Sequence, residues 1–369
     1  MNGPAGFAIV VLALAYASSG HAAPPPASGL QGAAPVYREI KDWVLACDNT
    51  RVCFAKYVAA DEGAGGGGYL SIARDAGPAG ALVVSLEEDK DGAVPDPHSL
   101  RLDGQPLAGG AAWMADAKDQ TATLSGDAAL AFVRSIAGGK ALGYSNGKAT
   151  PTVSLSGMTA VLLAMDEDQG RLDGRTALAR PGPKPADAVP AALPVPIVHG
   201  TPPTDAFAGG AAFAAQVRRT QVALLARHEC ETDLLTADHA DALNDREALV
   251  TLGCVRGAYQ TSVLVFRAPR DAPQKASQVI LPLQPTLTDA DSPPQDRGEY
   301  VAEDGWDPKT ATFVESAKGR GMADCGQSTE WLFDGAQFHV ASFNRLDRCG
   351  GGPPGDWPTL YRTTEVLTK

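Results

Sequence analysis

Residues 260–267 read QTSVLVFR, an apolar run with β-branched and aromatic residues at its centre. Its length and composition predict a β-strand. The same reading extends outward. Upstream, 248–252 reads ALVTL and leads into Cys254 as a second strand; downstream, Gln278 to Leu283, QVILPL, predicts a third. Thr310 to Ser316, Glu330 to Phe333 and Gln337 to Phe343 follow, with a turn at Asp334-Gly335. Short strands joined by tight turns predict an antiparallel meander. One helical pattern, Phe207 to His228, precedes it.

The earlier part of the chain has a similar grammar. Asp42 to Ala46 leads into Cys47, and Tyr69 to Ala73 follows the glycine run Gly65 to Gly68. Ala81 to Leu86 is an apolar strand closed by Asp89-Lys90-Asp91-Gly92. Ser99 to Leu102 runs into Asp103-Gly104, a hairpin signal. Leu142 to Tyr144 and Thr152 to Leu155 read as a strand pair. Ala128 to Gly138 and Gly157 to Asp168 carry apolar residues at helical spacing. Abundant Gly and Ala with few aromatics fit turn-rich β structure better than a helical bundle.

Between the two parts, Ala179 to Thr204 holds eight prolines. Proline lacks a backbone donor and favours extended conformation, so this stretch reads as a linker. The predicted organisation is mainly β with a few helices (α+β): two β-sandwich or meander domains, 36–178 and 207–369, joined by a Pro-rich linker over 179–206. In front lies a Pro/Ala/Gly-rich stretch, 23–35, expected to be a disordered tether.

Residues 1–22 carry no charged side chain, and Phe7 to Ala17 reads FAIVVLALAYA. That run is too short for a permanent membrane span and has signal-peptide length. Gly20-His21-Ala22 supplies a small-x-small cleavage pattern before Pro24-Pro25-Pro26. The expectation is export to the periplasm or beyond, with no transmembrane segment after processing. The net charge is −12, and neither half has a basic run. A negative field repels phosphate backbones, which excludes nucleic acid as a natural partner.

Six cysteines, Cys47, Cys53, Cys230, Cys254, Cys325 and Cys349, form an even set of the kind that pairs in exported chains. Fifteen pairings are possible in principle. Sequential pairing is the simplest: Cys47–Cys53, Cys230–Cys254 and Cys325–Cys349. Zinc sites favour C-x2-C spacing with histidine partners, which this chain lacks, so no metal or cofactor is expected.

No motif nominates a catalytic residue. Gly143-Tyr144-Ser145-Asn146-Gly147 matches G-x-S-x-G, but Asn146-Gly147 is a hairpin signal and no helix follows. Asp166, Asp168 and Asp173 lie in DEDQGRLD, yet the twelfth calcium-loop position falls on Ala177 where a glutamate is required. His228 and His239 flank Cys230 in an acidic stretch and read as solvated surface. Near the C-terminus a glycine- and arginine-rich region gathers Lys318, Arg320, Asp324, Trp331 and Arg362, the candidate ligand-binding set. Arginine there can take carboxylate or phosphate bidentately, or pair with neighbouring aspartates around a disulfide.

Five motifs together carry a family resemblance. They are Trp43-x3-Cys47-Asp48-x4-Cys53, Met165-Asp166-Glu167-x-Gln169-Gly170-Arg171, Gly253-Cys254-x2-Gly257-Ala258-Tyr259, Lys318-Gly319-Arg320-Gly321-x2-Asp324-Cys325-Gly326 and Trp357-Pro358-x-Leu360-Tyr361-Arg362. Across nearly the whole mature chain the sequence resembles the bacterial domain-of-unknown-function family 1176. That resemblance implies a Gram-negative exported protein and brings no activity or catalytic residue. The first domain alone is similar in layout to the invasion-associated locus B proteins, small exported β proteins; no functional residue transfers. The resulting expectation is a monomeric, non-enzymatic module that binds a protein or envelope ligand. The alternative is an envelope hydrolase whose site is assembled only in space.

Overall fold

The structure is a computed structural model that describes residues 30–59, 68–87, 94–287, 301–302, 305–350 and 352–368. The signal segment, the tether up to residue 29 and the Asp89–Gly92 turn lie outside the described residues.

The first half runs β1 (Val36–Ile40), β2 (Trp43–Cys47), β3 (Cys53–Tyr57), β4 (Tyr69–Arg74), β5 (Leu82–Glu87), β6 (Asp96–Leu102), β7 (Gln105–Pro106), β8 (Met114–Asp116) and β9 (Thr121–Ser125). Helix α1 (Gly126–Ile136), β10 (Ala141–Ser145), β11 (Thr152–Ser154) and α2 (Met158–Asp168) complete it. An antiparallel sheet in the order β1-β2-β3-β4-β5-β9-β8 faces a smaller one, β11-β10-β6-β7. Helix α1 buries Ala129, Phe132, Val133 and Ile136, one face at helical spacing. Helix α2 buries Met158, Val161, Leu162 and Met165 in the same way. Its entry needs Gly157, at φ 97, because a Cβ there would lie 2.2 Å from the Ile40 carbonyl oxygen.

The second half contains β12 (Ile197–Gly200), α3 (Gly210–Thr220), α4 (Val222–Arg227), β13 (His239–Ala242), β14 (Glu247–Arg256), β15 (Thr261–Pro269) and β16 (Ser277–Gln278). Then follow β17 (Val301–Ala302), β18 (Gly305–Asp307), β19 (Thr312–Lys318), β20 (Gly326–Phe333), β21 (Phe338–Leu346), β22 (Thr359–Arg362) and β23 (Thr364–Leu367). One sheet runs β13-β14-β15-β16, with β17 also on β15; the other runs β18-β19-β20-β21-β22. The protein is therefore mainly β with a few helices, in antiparallel sheets apart from one parallel pair, β12 with β23.

Strand β15 shows why its sequence is continuously apolar. Leu264, Phe266 and Ala268 pack under α3 and α4 with Phe213, Val217 and Leu225. Val263 and Val265 face the other way, against Phe313, Trp331 and Phe333 of the second sheet. A strand covered on both sides cannot alternate with polar residues.

Strand β2 is covered in the same manner. All five of its residues are at most 1% exposed. Trp43, Leu45 and Cys47 enter the first-half core beneath α2. Val44 and Ala46 join Tyr37 and Val58 in a core shared with Phe343, Leu346, Leu360 and Tyr361 of the second half. The two halves thus meet through one apolar core.

Two predicted elements differ. The helix predicted over Phe207–His228 is interrupted at Gln221, where φ −102 and ψ 14 separate α3 from α4. The strand predicted over Gln278–Leu283 pairs only at Ser277–Gln278, with Val279 N–H adding one bond to Val265 O. Pro282 has no N–H to continue the ladder. Its carbonyl oxygen instead accepts the Trp331 Nε1 hydrogen at 2.8 Å, which draws the segment across to the other sheet.

The proline-rich stretch is tied to both halves: Gly182 N–H bonds to Gly174 O and Lys184 N–H to Asp173 O, and its later part pairs with the second half. Pro196 O accepts the Thr364 N–H at 2.7 Å, Gly200 O accepts the Thr368 N–H, and Thr201 N–H bonds to Phe333 O. Proline cannot donate, but its carbonyl still accepts, so an extended segment can pair along an edge. Of the stretch 23–35, residues 30–35 are described. Ala33 N–H bonds to Asn49 O at 2.9 Å, and Asn49 Nδ2 donates to Gln31 O.

The disulfides join Cys47–Cys53, Cys230–Cys254 and Cys325–Cys349, and no described cysteine is free. No described helix is long and apolar enough to cross a membrane.

A buried polar network locks α2 to the sheet. The Asp166 carboxylate accepts the N–H groups of Leu178 and Ala179, both at 2.9 Å. Gln169 Nε2 donates to the carbonyls of Arg51 and Arg74, while its Oε1 accepts from Arg171 Nε. Burial, reinforced by the neighbouring Arg171, pushes the Arg74 guanidinium down to about 10. Asp166 opposes that shift. Removing one partner of a buried charge set leaves the others uncompensated. Asp166→Ala should therefore cost about 3–5 kcal/mol in urea denaturation, an effect far above that of a surface substitution. Because Val44 and Ala46 bridge the halves, unfolding followed by tryptophan fluorescence and by far-UV circular dichroism should coincide in one transition.

Candidate functional site

The five residues expected to bind a ligand do not converge. Arg320 forms a two-pronged pair with Asp324, at 2.7 and 2.6 Å, beside the Cys325–Cys349 disulfide. Trp331 is 1% exposed and belongs to the shared core. Arg362 pairs with the buried Asp48 carboxylate, next to the Cys47–Cys53 bridge. Lys318 ends β19, where its N–H donates to Gln260 Oε1.

Arg362 instead marks a structural hub. Asp48 Oδ1 accepts from Thr50 N–H, Thr50 Oγ1 and Val52 N–H, at 2.7–3.0 Å. Asn49 is fully buried; its side chain exchanges two bonds with the Arg362 backbone, 3.1 and 2.9 Å. The turn after β2 thus ties the first half to β22 over more than 300 residues of sequence. Arg51 O and Gln169 complete the junction at 2.8 Å. Motifs far apart in the chain, around Asp48, Gln169 and Arg362, meet here as scaffold.

The Gly143–Gly147 motif is a hairpin. Asn146 Oδ1 accepts from Lys148 N–H and Ala149 N–H, and Gly147 has φ 79. Asp166, Asp168 and Asp173 make separate contacts. The Asp166 carboxylate holds the backbone at Leu178, the Asp168 carboxylate lies 3.7 Å from Cys53 Sγ, and Asp173 pairs with Arg180.

A charged cluster sits between the halves. Lys56, 3% exposed, reaches Asp356 on the loop before β22. Glu87 lies beside them and accepts from Ser71 Oγ at 3.2 Å. Burial, with Asp356 as a second cause, pushes the Glu87 carboxyl up. Lys56 and Asp356 tie the first sheet to the loop before β22, and Glu87 is held by Ser71 of the neighbouring strand.

Four cavities bear on a site among the described residues. One, about 780 Å³, is lined by Arg246, Glu247, Arg267 and Arg270. Glu247 takes Arg267 Nε at 3.0 Å, and Arg270 is spent on the Asn244 and Asp205 carbonyls. Next to it a cavity of about 580 Å³ has an apolar wall of Val279, Ile280, Leu281, Phe333 and Phe338, with His339 held by Asp334 at 2.7 Å. One of about 620 Å³ lies between residues 31–33 and 193–197.

The fourth differs. It is about 320 Å³ and lies between the two second-half sheets, lined by His239, Asp241, Leu249, Thr251, Val263, Trp306 and Phe313. Strand pairing sets His239 directly opposite Thr251, and Asp241 opposite Leu249. Period-2 alternation sends His239 and Asp241 outward and buries Ala240 and Ala242. Asp241 Oδ1 accepts the Ala242 N–H at 2.7 Å; its Oδ2 lies 3.9 Å from His239 Nε2. Among the described residues neither Thr251 Oγ1 nor the His239 ring makes a hydrogen bond, so both are open to a ligand. Trp306 is fixed by its Nε1 hydrogen on Ala242 O, 2.8 Å, and by edge contacts with Phe333 and Phe338.

His239 and Thr251 bring a base and a hydroxyl to one face, but no hydrogen bond joins them. A nucleophile needs that contact. The alternating His239-Ala240-Asp241-Ala242 was the sequence signal for this face; the pairing with Thr251 and the approach of Trp306 were not visible in it.

The family described as protein of unknown function (DUF1176) matches residues 37–364. The uncharacterized protein YpfG of Escherichia coli (strain K12) is 30% identical over 372 residues, covering 91% of this chain and 95% of that protein. The crystal structure of invasion associated protein B from Bartonella henselae overlaps 37% of this chain and 99% of that chain, with a TM-score of 0.26 and 15% identity.

A raised carboxyl contributes stability that is complete below its unfolded value and is lost as pH climbs through its folded value. The urea midpoint should therefore fall as pH rises through the window set by Glu87. Glu87→Gln, which cannot ionise, should show a smaller fall over the same range.

Proposed function

The chain belongs to the DUF1176 family of proteins of unknown function, and from that premise we propose that it is an exported envelope protein that binds a ligand without transforming it. The signal-like segment 1–22 and three disulfides support export into an oxidising compartment. Periplasm is the compartment this reading names, with the processed chain acting as a monomer. The binding site is the pocket formed by β13, β14 and Trp306.

One observation carries the reading. Among the described residues His239 and Thr251 line a cavity with no side-chain hydrogen bond, and the outer oxygen of Asp241 meets only His239 at 3.9 Å, whereas the polar groups of the 780 Å³ cavity are largely tied to one another or to backbone carbonyls. A few polar groups converging on an apolar pocket are what a recognition site presents. The hydrolase alternative would require Thr251 or another hydroxyl to be activated by His239, and that contact is missing among the described residues.

Two outcomes test this. Deleting residues 2–22 should retain the chain in the cytoplasm, and non-reducing peptide mapping should then lose the three linked pairs. His239→Gln with Thr251→Val should abolish recovery of bound envelope material from the purified native protein while leaving its thermal midpoint unchanged. Recovery that ignores both substitutions would place the site elsewhere.

A further inference from the structure

Resting on that site, we infer that its ligand is a neutral sugar ring, a hexose or N-acetylhexosamine unit of an envelope glycan. Four features of the pocket agree on this chemistry.

The first is the indole. Trp306 is half-buried, and its position is fixed on three sides by Ala242 O, Phe333 and Phe338. An immobile aromatic surface offers apolar area at little entropic cost and suits the C–H face of a pyranose. The second is the distribution of polarity. Leu249, Val263 and Phe313 form an apolar floor, and His239, Asp241 and Thr251 stand along one side. Together they supply donors and acceptors: a hydroxyl, an imidazole and a carboxylate oxygen. A sugar ring has this same division between an apolar face and a rim of hydroxyls.

Charge is the third. Among the described residues no guanidinium or ammonium lines the cavity, and Asp241 places a carboxylate there in a chain of net charge −12. Phosphate and carboxylate ligands are repelled. Size is the fourth. At about 320 Å³ the cavity is at the small end of ligand pockets, enough for one ring with its neighbours left outside.

Asp241 accepts sugar hydroxyl hydrogens through its outer oxygen, since the inner one is held by Ala242 N–H. Thr251 and His239 face each other across the strand pair and can bracket adjacent hydroxyls.

Chitotriose and maltotriose, titrated into the intact oxidised chain by calorimetry and by saturation-transfer NMR, test the proposal. At least one should bind with one site per chain, with saturation transfer strongest at ring C–H protons. Trp306→Ala and Asp241→Asn should each weaken it about tenfold, the loss expected for an aromatic contact or a charged hydrogen bond. Trp306 also packs against Phe333 and Phe338, so Trp306→Ala could unfold the sheet. Asp241→Asn and His239→Gln are exposed enough to leave the fold intact and carry the test alone. Binding insensitive to both would overturn the assignment of sugar to this pocket. Absence of binding, or binding of choline in place of either sugar, would overturn the ligand class. If recovery of envelope material still depends on His239 and Thr251 in that case, the site itself survives. If neither sugar binding nor that recovery is found, both readings fail together.

Discussion

Everything else in the molecule is arranged around a five-residue strand buried on both sides. Trp43, Leu45 and Cys47 fill the core of the first half, and Val44 and Ala46 fill a core that belongs equally to the second. A strand in this position tolerates no polar residue and no change of register. Slipping it by one residue would exchange the two cores. The turn that follows has the same burden in polar form. Asp48, Asn49 and Thr50 are all at most 3% exposed; Asp48 Oδ1 ties the turn to itself, while Asn49 and the Asp48–Arg362 pair hold distant parts of the chain. Burying such groups is tolerable only because they are satisfied.

That arrangement accounts for most of the family motifs without invoking chemistry. Trp43 to Cys53, Asp166 to Arg171 and Trp357 to Arg362 meet at one junction, where Gln169 spans Arg51 and Arg74 and Arg362 closes on Asp48 and Asn49. Residues that look functional by type, such as the arginines near the C-terminus, are paired with aspartates for the sake of the scaffold. The pocket shares none of these junction residues and lies between the two second-half sheets. There His239 and Thr251 stand opposite each other with no side-chain hydrogen bond among the described residues, beside an Asp241 carboxylate that has one oxygen held by the Ala242 N–H. A rigid junction and a small unsatisfied pocket are separate solutions, one to holding two halves together and one to recognition.

The electrostatics follow the same division. Burial lowers the Arg74 guanidinium and raises the Glu87 carboxyl from their ordinary values, and both groups lie within the packed scaffold. The groups of the pocket are only partly buried and remain available.

By itself the sequence determined the periodicities: continuous apolar runs for buried strands, hairpins at Asp103-Gly104 and Asn146-Gly147, helices at α1 and α2, and cysteines whose nearest partners in sequence are their partners in space. These are local properties, set by side-chain alternation and turn chemistry. It misread Gln278–Leu283, because Pro282 and the pull of Trp331 compete with strand pairing. It also gathered Lys318, Arg320, Asp324, Trp331 and Arg362 from proximity in the chain, and proximity in sequence does not decide which face a side chain takes. Only the tertiary structure decided that Arg362 belongs with Asp48, that the proline-rich stretch pairs with β23, and that His239, Thr251 and Trp306 share a cavity. Each of those depends on register between segments brought together by folding, and register between distant strands is written in no single stretch of sequence.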